Sequence, residues 1–500
     1  MSLRILAPGR RGAAGGALAL AALLAAGCAS GPPRVGGVAG TAPSPDVPWT
    51  PPARVAAAAA AAGPAIPPEA VADRLARLTL AEVVDIALAN SPATRAAWAD
   101  AKAAAGGYGA ARGSRLPTID GTATLTRGNT SSRTSSAVGG VSAWSTTYGP
   151  AAGLSWLLLD FGGRGGRVEA AKQTLLAADW THNAAIQDAI LAVETAFYRY
   201  GGAQAILAAN RVSYAEADSS LAAAEARHEV GLATIADVLQ ARTARAQVKL
   251  DLQTTEGQVR TTKGALAVSM GYAANVPYDI AIEAPDIPVD AAARAVEELI
   301  AQAVATRPDL QAARAQAQAA AARARSARSD LLPSLSVIGS AGRTWTDGVD
   351  DPTDRTSGAL VLDIPLFAGF SGRHELAQAR AVAEAAAERA RGFEQQVIYE
   401  VFTAQSDFLT ATERVKTADE LIASAGESEQ VALGRYREGV GSILDLLSAQ
   451  QALAAARAQQ VNARLGWFTA LAQLARDAGV LGLHGANPLS PDNLHPEVEK

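Results

Sequence analysis

The chain has a single cysteine, Cys28, in 500 residues. An intrachain disulfide and a cysteine-based metal cluster are therefore both excluded. The five histidines, His182, His228, His374, His484 and His495, stand singly, without the i,i+4 pairing or cysteine neighbours that a metal site requires. Aromatic residues make up only 5% of the chain, while alanine, the best helix former, saturates its long segments. Long packed helices are thus favoured over a bulky globular core. With 44 basic and 49 acidic residues the net charge is -5, which gives no electrostatic basis for nucleic-acid binding. Past the N-terminal region no segment supplies 18 uninterrupted apolar residues. No membrane-crossing helix is expected there, and any crossing has to be made of strands.

The N-terminus has an export character. Arg4, Arg10 and Arg11 precede a short apolar run, Ala17 to Ala26, which reads as a signal segment. Leu24-Ala25-Ala26-Gly27-Cys28 resembles the lipobox of bacterial lipoproteins, with Ala25 in the usual aliphatic place and the leucine one position earlier. That resemblance implies lipidation of Cys28 after cleavage; the alternative is an incidental cysteine in an ordinary signal peptide. Ala29-Ser30 lacks the aspartate that holds many lipoproteins at the inner membrane, which implies outer-membrane sorting. The Pro-, Gly- and Ala-rich stretch that follows has no apolar period and reads as an extended or disordered tether.

The body of the chain is written twice. Arg307-Pro308 and Leu332-Pro333 repeat the spacing of Ser91-Pro92 and Leu116-Pro117 at a displacement of 216 residues. Arg227-His228-Glu229-Val230-Gly231-Leu232 recurs as Arg435-Tyr436-Arg437-Glu438-Gly439-Val440 at a displacement of 208. One architecture built from two equivalent halves is therefore expected, with the eight-residue change of register placed in a longer first loop.

Each half reads in one order. Two short helices meet at a proline: Leu80 to Asn90 and Ser91 to about Arg115, then Val296 to Thr306 and Pro308 to about Asp330. A period of two follows, with Ile119, Gly121, Ala123 and Leu125 alternating with Thr118, Asp120, Thr122 and Thr124, the pattern of a strand with one apolar face. Return strands are expected over about 142–158 and 357–366. Long proline-free helices come next, ending at Gly231 and Gly439. There Thr234 and Ser442 cap return helices, with Asp237 and Asp445 in the N3 place of a capping box. Phe161-Gly162-Gly163-Arg164-Gly165-Gly166-Arg167 lacks the Gly-Lys-Ser/Thr of a phosphate loop, and Val168 stands where a dinucleotide fingerprint needs glycine. It reads as a bend between strand and helix, as does Phe367-Ala368-Gly369-Phe370-Ser371-Gly372-Arg373 in the second copy.

Four strands can cross a bilayer but cannot close a wall, since single-chain barrels begin near eight strands and membrane sheets leave no open edge. Several chains are needed; three supply twelve strands. Order, spacing and duplication, with Arg227 to Leu232, Ile235, Asp237-Val238 and Ala241-Arg242 matched by Arg435-Tyr436, Gly439, Ser442, Asp445, Leu447 and Ala449, resemble the TolC family of outer-membrane efflux proteins over about residues 78 to 480. The resemblance implies a mainly α fold with a membrane β-barrel contribution: a homotrimer with a twelve-stranded outer-membrane barrel over a long periplasmic α-barrel. It further implies a non-enzymatic, cofactor-free exit duct of a tripartite pump or type I secretion system. Its partners would be a periplasmic adaptor, an inner-membrane transporter and outer-membrane lipid, with no nucleic acid.

The expected boundaries are a signal peptide at 1–28, a tether at 29–77 and a first repeat at 78–275, with its β-hairpin at about 117–158 and helical hairpin at about 163–272. A linker at 276–293, a second repeat at 294–480 (β-hairpin about 333–366, helical hairpin about 371–478) and a tail at 481–500 complete the chain. The family's adaptor-docking turns fall on Val230, Gly231 and Leu232 and on Gly439, Val440 and Gly441. The periplasmic gate falls on Tyr436, an aromatic constraint, and on Asp445, a carboxylate ring that would favour cations. Gly441 stands where the best-known pattern has a gate arginine, and Ser448 where it has a second aspartate. Asp445 also reads as an ordinary helix-start charge, the role expected of Asp237. A periplasmic adaptor, or a structural coiled-coil lipoprotein, is the alternative class; neither accounts for duplicated strand pairs.

Overall fold

The computed structural model of the protein describes residues 34–35, 38–39, 77–132, 141–281, 287 and 295–482. Cys28, most of the 29–77 tether, part of the 276–293 linker and nearly all of the 481–500 tail lie outside the described residues. In the unit Met1–Ala65 a two-residue antiparallel ladder pairs Arg34–Val35 with Val38–Ala39. The unit Ile66–Lys500 carries the repeated body.

Helices α1 (Leu80–Asn90) and α2 (Pro92–Gly113) meet at Ser91, whose side chain accepts from the Thr94 amide at 3.3 Å. Proline at the first position of α2 removes only a donor that would have had no partner. Strands β1 (Thr118–Ser132) and β2 (Val141–Leu159) follow, then α3 (Gly163–Glu229) and α4 (Ile235–Ser269). The second half repeats the order as α5 (Val296–Thr306), α6 (Pro308–Ser329), β3 (Ser334–Thr346), β4 (Thr353–Asp363), α7 (Ser371–Arg437) and α8 (Ile443–Asp477). Paired helices match in length: 11 and 22 residues ahead of each strand pair, 67 and 35 after it. At 1.5 Å per residue the 67-residue helices are about 100 Å long.

The register change sits elsewhere than expected. The strands of the first copy run 15 and 19 residues where those of the second run 13 and 11, so strand length rather than loop length absorbs most of it. β1 continues from Arg127 to Ser132, a stretch read from sequence as loop, because β2 begins at Val141 and pairs with it to the end. β4 stops at Asp363, short of the expected Leu366. Pro365 has no amide to give a ladder.

The strands form one antiparallel sheet in the order β1-β2-β3-β4. α3 packs along α2, α4, α6 and α8, and α7 along α6 and α8. Two apolar clusters hold the middle of the long helices. One gathers Ile190, Leu299, Val397, Val401, Trp467 and Leu471; the other Val83, Val193, Phe197, Leu266, Met270 and Tyr278. Toward the hairpin tips the seams shrink to small groups such as Ala224, Val238 and Ala241, or Ala425, Leu453 and Ala456. Burying a large side chain contributes roughly 1.5 to 3 kcal/mol, a methyl-sized group about 0.8 kcal/mol. The second tip adds a cluster of Tyr436, Ile443 and Leu446, so the middle is the most firmly set and the first tip is held by least, which puts the freedom to move at that end of the bundle.

Candidate functional site

The first functional element is the sheet. Its register aligns Trp156 with Val337 and Val337 with Leu360, and likewise Ile119 with Leu154. Because side chains alternate, these pairs stitch one face across all four strands, with Ile119, Ala123 and Leu125, Tyr148, Ala152, Leu154 and Trp156, Val337, Ala341 and Trp345, and Leu360 and Leu362, interrupted by Arg343 and Asp354, which pair with each other. The opposite face carries Thr118, Asp120, Thr122, Thr147, Ser155, Ser336, Ser340 and Ser357 at the alternate positions. The apolar side is uncovered: Ile119 is 78% and Leu125 76% exposed. Tyr148 stacks on Trp345, with ring centroids 5.8 Å apart, and Trp156 lies eight residues from Tyr148 along β2. At about 3.3 Å per residue this aromatic-bounded interval is roughly 26 Å along the strand, or about 20 Å of height for a strand tilted by about 40°, most of the roughly 25 Å apolar band of outer-membrane sheets.

A strained bend joins sheet to helix in each copy. Phe161 and Gly162 have φ of 46° and 100°; at the equivalent positions Gly369 and Phe370 have φ of 61° and 65°. Both places need a left-handed backbone, and each copy gives its glycine to a different one. This is the bend read from sequence.

The second element is the pair of helical-hairpin tips. Gly231 and Gly439 adopt φ of 76° and 78°, the left-handed step that ends a helix cheaply only with glycine. The Leu232 amide donates to the Arg227 carbonyl at 2.8 Å, and the Val440 amide to the Arg435 carbonyl at 3.0 Å. Both tips are thus Schellman turns followed by capping boxes, Thr234 with Asp237 and Ser442 with Asp445. The turns push apolar side chains outward: Val230 is 69%, Leu232 71% and Val440 68% exposed. A Cβ on Gly441 would stand 2.9 Å from that of Arg435, so an arginine there would force the turn to shift.

The two residues expected at a gate are placed differently from one another. Asp445 is exposed and accepts from the Ser442 amide at 3.3 Å, the same geometry as Asp237 with Thr234. Tyr436 is buried, with its hydroxyl unpartnered among the described residues. Burial raises its phenol above the ordinary value, against the opposing pull of the Arg227 guanidinium. Arg227 comes from the tip of the first hairpin. Its guanidinium lies 4.9 Å from the centre of the Tyr436 ring and donates to the Tyr436 carbonyl at 2.6 Å. That contact ties α3 to α7; α3 is tied to α8 by the Arg457 fork on Glu216, with both bonds 3.0 Å. The Arg227–Tyr436 contact is not legible in the sequence, because a tip arginine in one copy gives no sign that it crosses to the other.

Missed altogether was a buried ionic cluster. Arg307, only 2% exposed at the side chain, meets Asp309 at 2.9 Å, Glu400 in a short contact and Asp477 at 3.8 Å. Arg476 adds Asp477 at 3.0 Å and Asp188 at 2.9 Å. The cluster ties α3, α7 and α8 to the α5–α6 junction. Its one sequence signal was that Arg307 replaces the capping Ser91 of the first copy.

A sheet apolar on one face and joined to helical hairpins of this length defines a channel protein of the bacterial outer membrane. The chain belongs to the outer membrane efflux protein family, which matches it over residues 83–272 and 299–480; these are TolC-type channels, as the sequence resemblance implied. Protein CyaE of Bordetella pertussis is 31% identical over 427 residues, 84% of this chain and 87% of the relative. Outer membrane protein OprJ of Pseudomonas aeruginosa is 28% identical over 379 residues, 74% of this chain and 78% of the relative. Among solved structures, a membrane protein from Pseudomonas aeruginosa superposes with a TM-score of 0.73 at 27% identity, over 80% of this chain and 93% of that one. The outer membrane protein VceC from Vibrio cholerae shares the fold, with a TM-score of 0.71 at 23% identity, over 80% and 96% of the two chains. The chain is thus an efflux or secretion channel protein.

Proposed function

We propose that three copies of this chain close their sheets into a twelve-stranded barrel and their hairpins into an α-barrel beneath it. The assembly works as the exit duct of a tripartite pump or type I secretion system. The observation that carries this reading is a sheet with one largely apolar face, its Arg343 and Asp354 paired with each other across β3 and β4, and two open edges, β1 and β4, which no single chain can place in a bilayer. In this reading Cys28 carries the lipid anchor. The tips Val230-Gly231-Leu232 and Gly439-Val440-Gly441 receive a periplasmic adaptor, and an inner-membrane transporter supplies the energy. Tyr436 and Asp445 narrow the periplasmic end. With Gly441 in the arginine's place, Arg227 supplies the latch from the neighbouring hairpin, which is supported by its contact with Tyr436. Opening then separates the two tips of a protomer where packing is thinnest.

The test is heat-modifiable oligomers in outer-membrane fractions, with ion conductance in planar bilayers. A monomer in the soluble fraction, with no conductance, would refute the proposal.

A further inference from the structure

Below the helix-side edge of the apolar face the chain places arginines that no carboxylate of the described residues reaches. Trp156, the aromatic that bounds that face, donates its indole N–H to the Arg115 carbonyl at 3.1 Å. The bond fixes the end of α2 on the apolar side of the sheet. Arg115 is exposed, and Leu116 beside it is 67% exposed. One turn back, Arg112 is exposed and lies 5.8 Å over the Tyr108 ring. The repeat sets Arg328 at the place equivalent to Arg112, again exposed at a helix end just before a strand. Other arginines of this rim are placed differently: Arg164 pairs with Asp160 and Arg167 with Asp160 and Asp330, while Arg373 in the first turn of α7 is exposed. The nearest strand carboxylate, Asp120, belongs to the polar face.

Exposed guanidinium groups without carboxylates at the sheet-side ends of α2 and α6, with Arg115 tied through its carbonyl to the indole of Trp156, match the chemistry of a phospholipid headgroup. An acyl chain lies along Ile119 and Trp156 while its phosphate meets the fork above α2. We propose that Arg112, Arg115 and Arg328 bind the phosphates of anionic phospholipids at the helix-side rim of the membrane, which rests on the membrane placement of the sheet given above. Such a site sets the height at which the sheet sits and favours phosphatidylglycerol over a zwitterionic lipid.

The test uses the full purified chain in vesicles of phosphatidylcholine alone or with added phosphatidylglycerol, and spin-labelled lipids report relative association. Wild type prefers phosphatidylglycerol, and each arginine replaced by glutamine lowers that preference by up to about fivefold. R112Q/R115Q/R328Q loses the preference yet still inserts and conducts, which keeps the membrane reading separate. A preference unchanged in the triple variant, or absent from wild type, overturns the proposal. So does inorganic phosphate displacing the labelled lipid at matched ionic strength, because the site would then be a free-phosphate site. Failure to insert in either vesicle overturns the membrane placement together with the site.

Discussion

Replacing Arg307 by methionine keeps the apolar stem of the side chain and removes its guanidinium charge from a place that water hardly reaches. Arg307 and Arg476 are the two cations among Asp188, Asp309, Glu400 and Asp477. Taking Arg307 away strips its hydrogen bonds from Asp309 and Glu400, which are 21% and 30% exposed and can draw on water, and its charge from near Asp477, which is 5% exposed. Breaking a buried pair from one side costs roughly 3 to 5 kcal/mol. Arg476 remains within 3.0 Å of Asp477, so the lower end, about 3 kcal/mol, is expected. Arg307→Lys supplies a point charge without the fork and should lose about half as much. The equivalent change in the first copy, Ser91→Ala, removes only a helix cap and should cost about 1 kcal/mol. Urea unfolding of the detergent-purified chain, followed by helical circular dichroism, orders the three variants. If Arg307→Met fell within about 0.5 kcal/mol of wild type, or below Ser91→Ala in cost, the claim that this cluster pins the second hairpin would be wrong.

Other outcomes follow from the same geometry. Ala152→Arg, between Tyr148 and Trp156 on the apolar face, should weaken membrane assembly by about 2 to 4 kcal/mol, whereas Ala151→Arg on the polar face should be tolerated; equal yields of heat-modifiable oligomer would contradict the assigned faces. Gly439→Ala forces alanine to a φ of 78° and should cost on the order of 1 kcal/mol, seen as faster proteolysis at the tip without loss of the mid-bundle core. Arg227→Ala should raise the resting conductance of the closed channel, and an unchanged current would remove Arg227 from the latch. Glu194, half-buried beside Val193 and Phe197, is raised by burial from 4.5 to about 7. The native state keeps a proton that the unfolded state releases across that interval, so stability falls as pH rises from about 4.5 to about 7. Glu194→Gln should flatten this slope, a difference of up to about 3 kcal/mol, and parallel pH curves for the two proteins would count against it.

Much of the fold was legible because the cues were local. Thr234 and Ser442 with their N3 aspartates mark helix starts, Gly231 and Gly439 mark helix ends, and the 25-residue spacing of prolines marks each α-to-β transition. Strand ends were misplaced because Arg127 to Ser132 is polar and read as loop, while the pairing that makes it strand comes from β2. The tips were found at their turns. The Arg227 contact with Tyr436 and the Arg307 cluster were hidden, since each joins residues far apart in the chain, and a charged side chain carries no mark of its eventual neighbour.

The unequal strands leave the outer edge of the sheet stepped. The last β2–β3 pair is Thr147 with Thr346, whereas β1 and β2 stay paired as far as Ser132 and Val141. The first hairpin therefore stands six residues, about 20 Å, above the second. A wall assembled from such sheets would end in battlements, tall where the first repeat falls and low where the second does. Antibodies, phage or proteases arriving from outside would then touch almost nothing but the first repeat's crest, leaving selection from that side to act on one half of a duplicated gene.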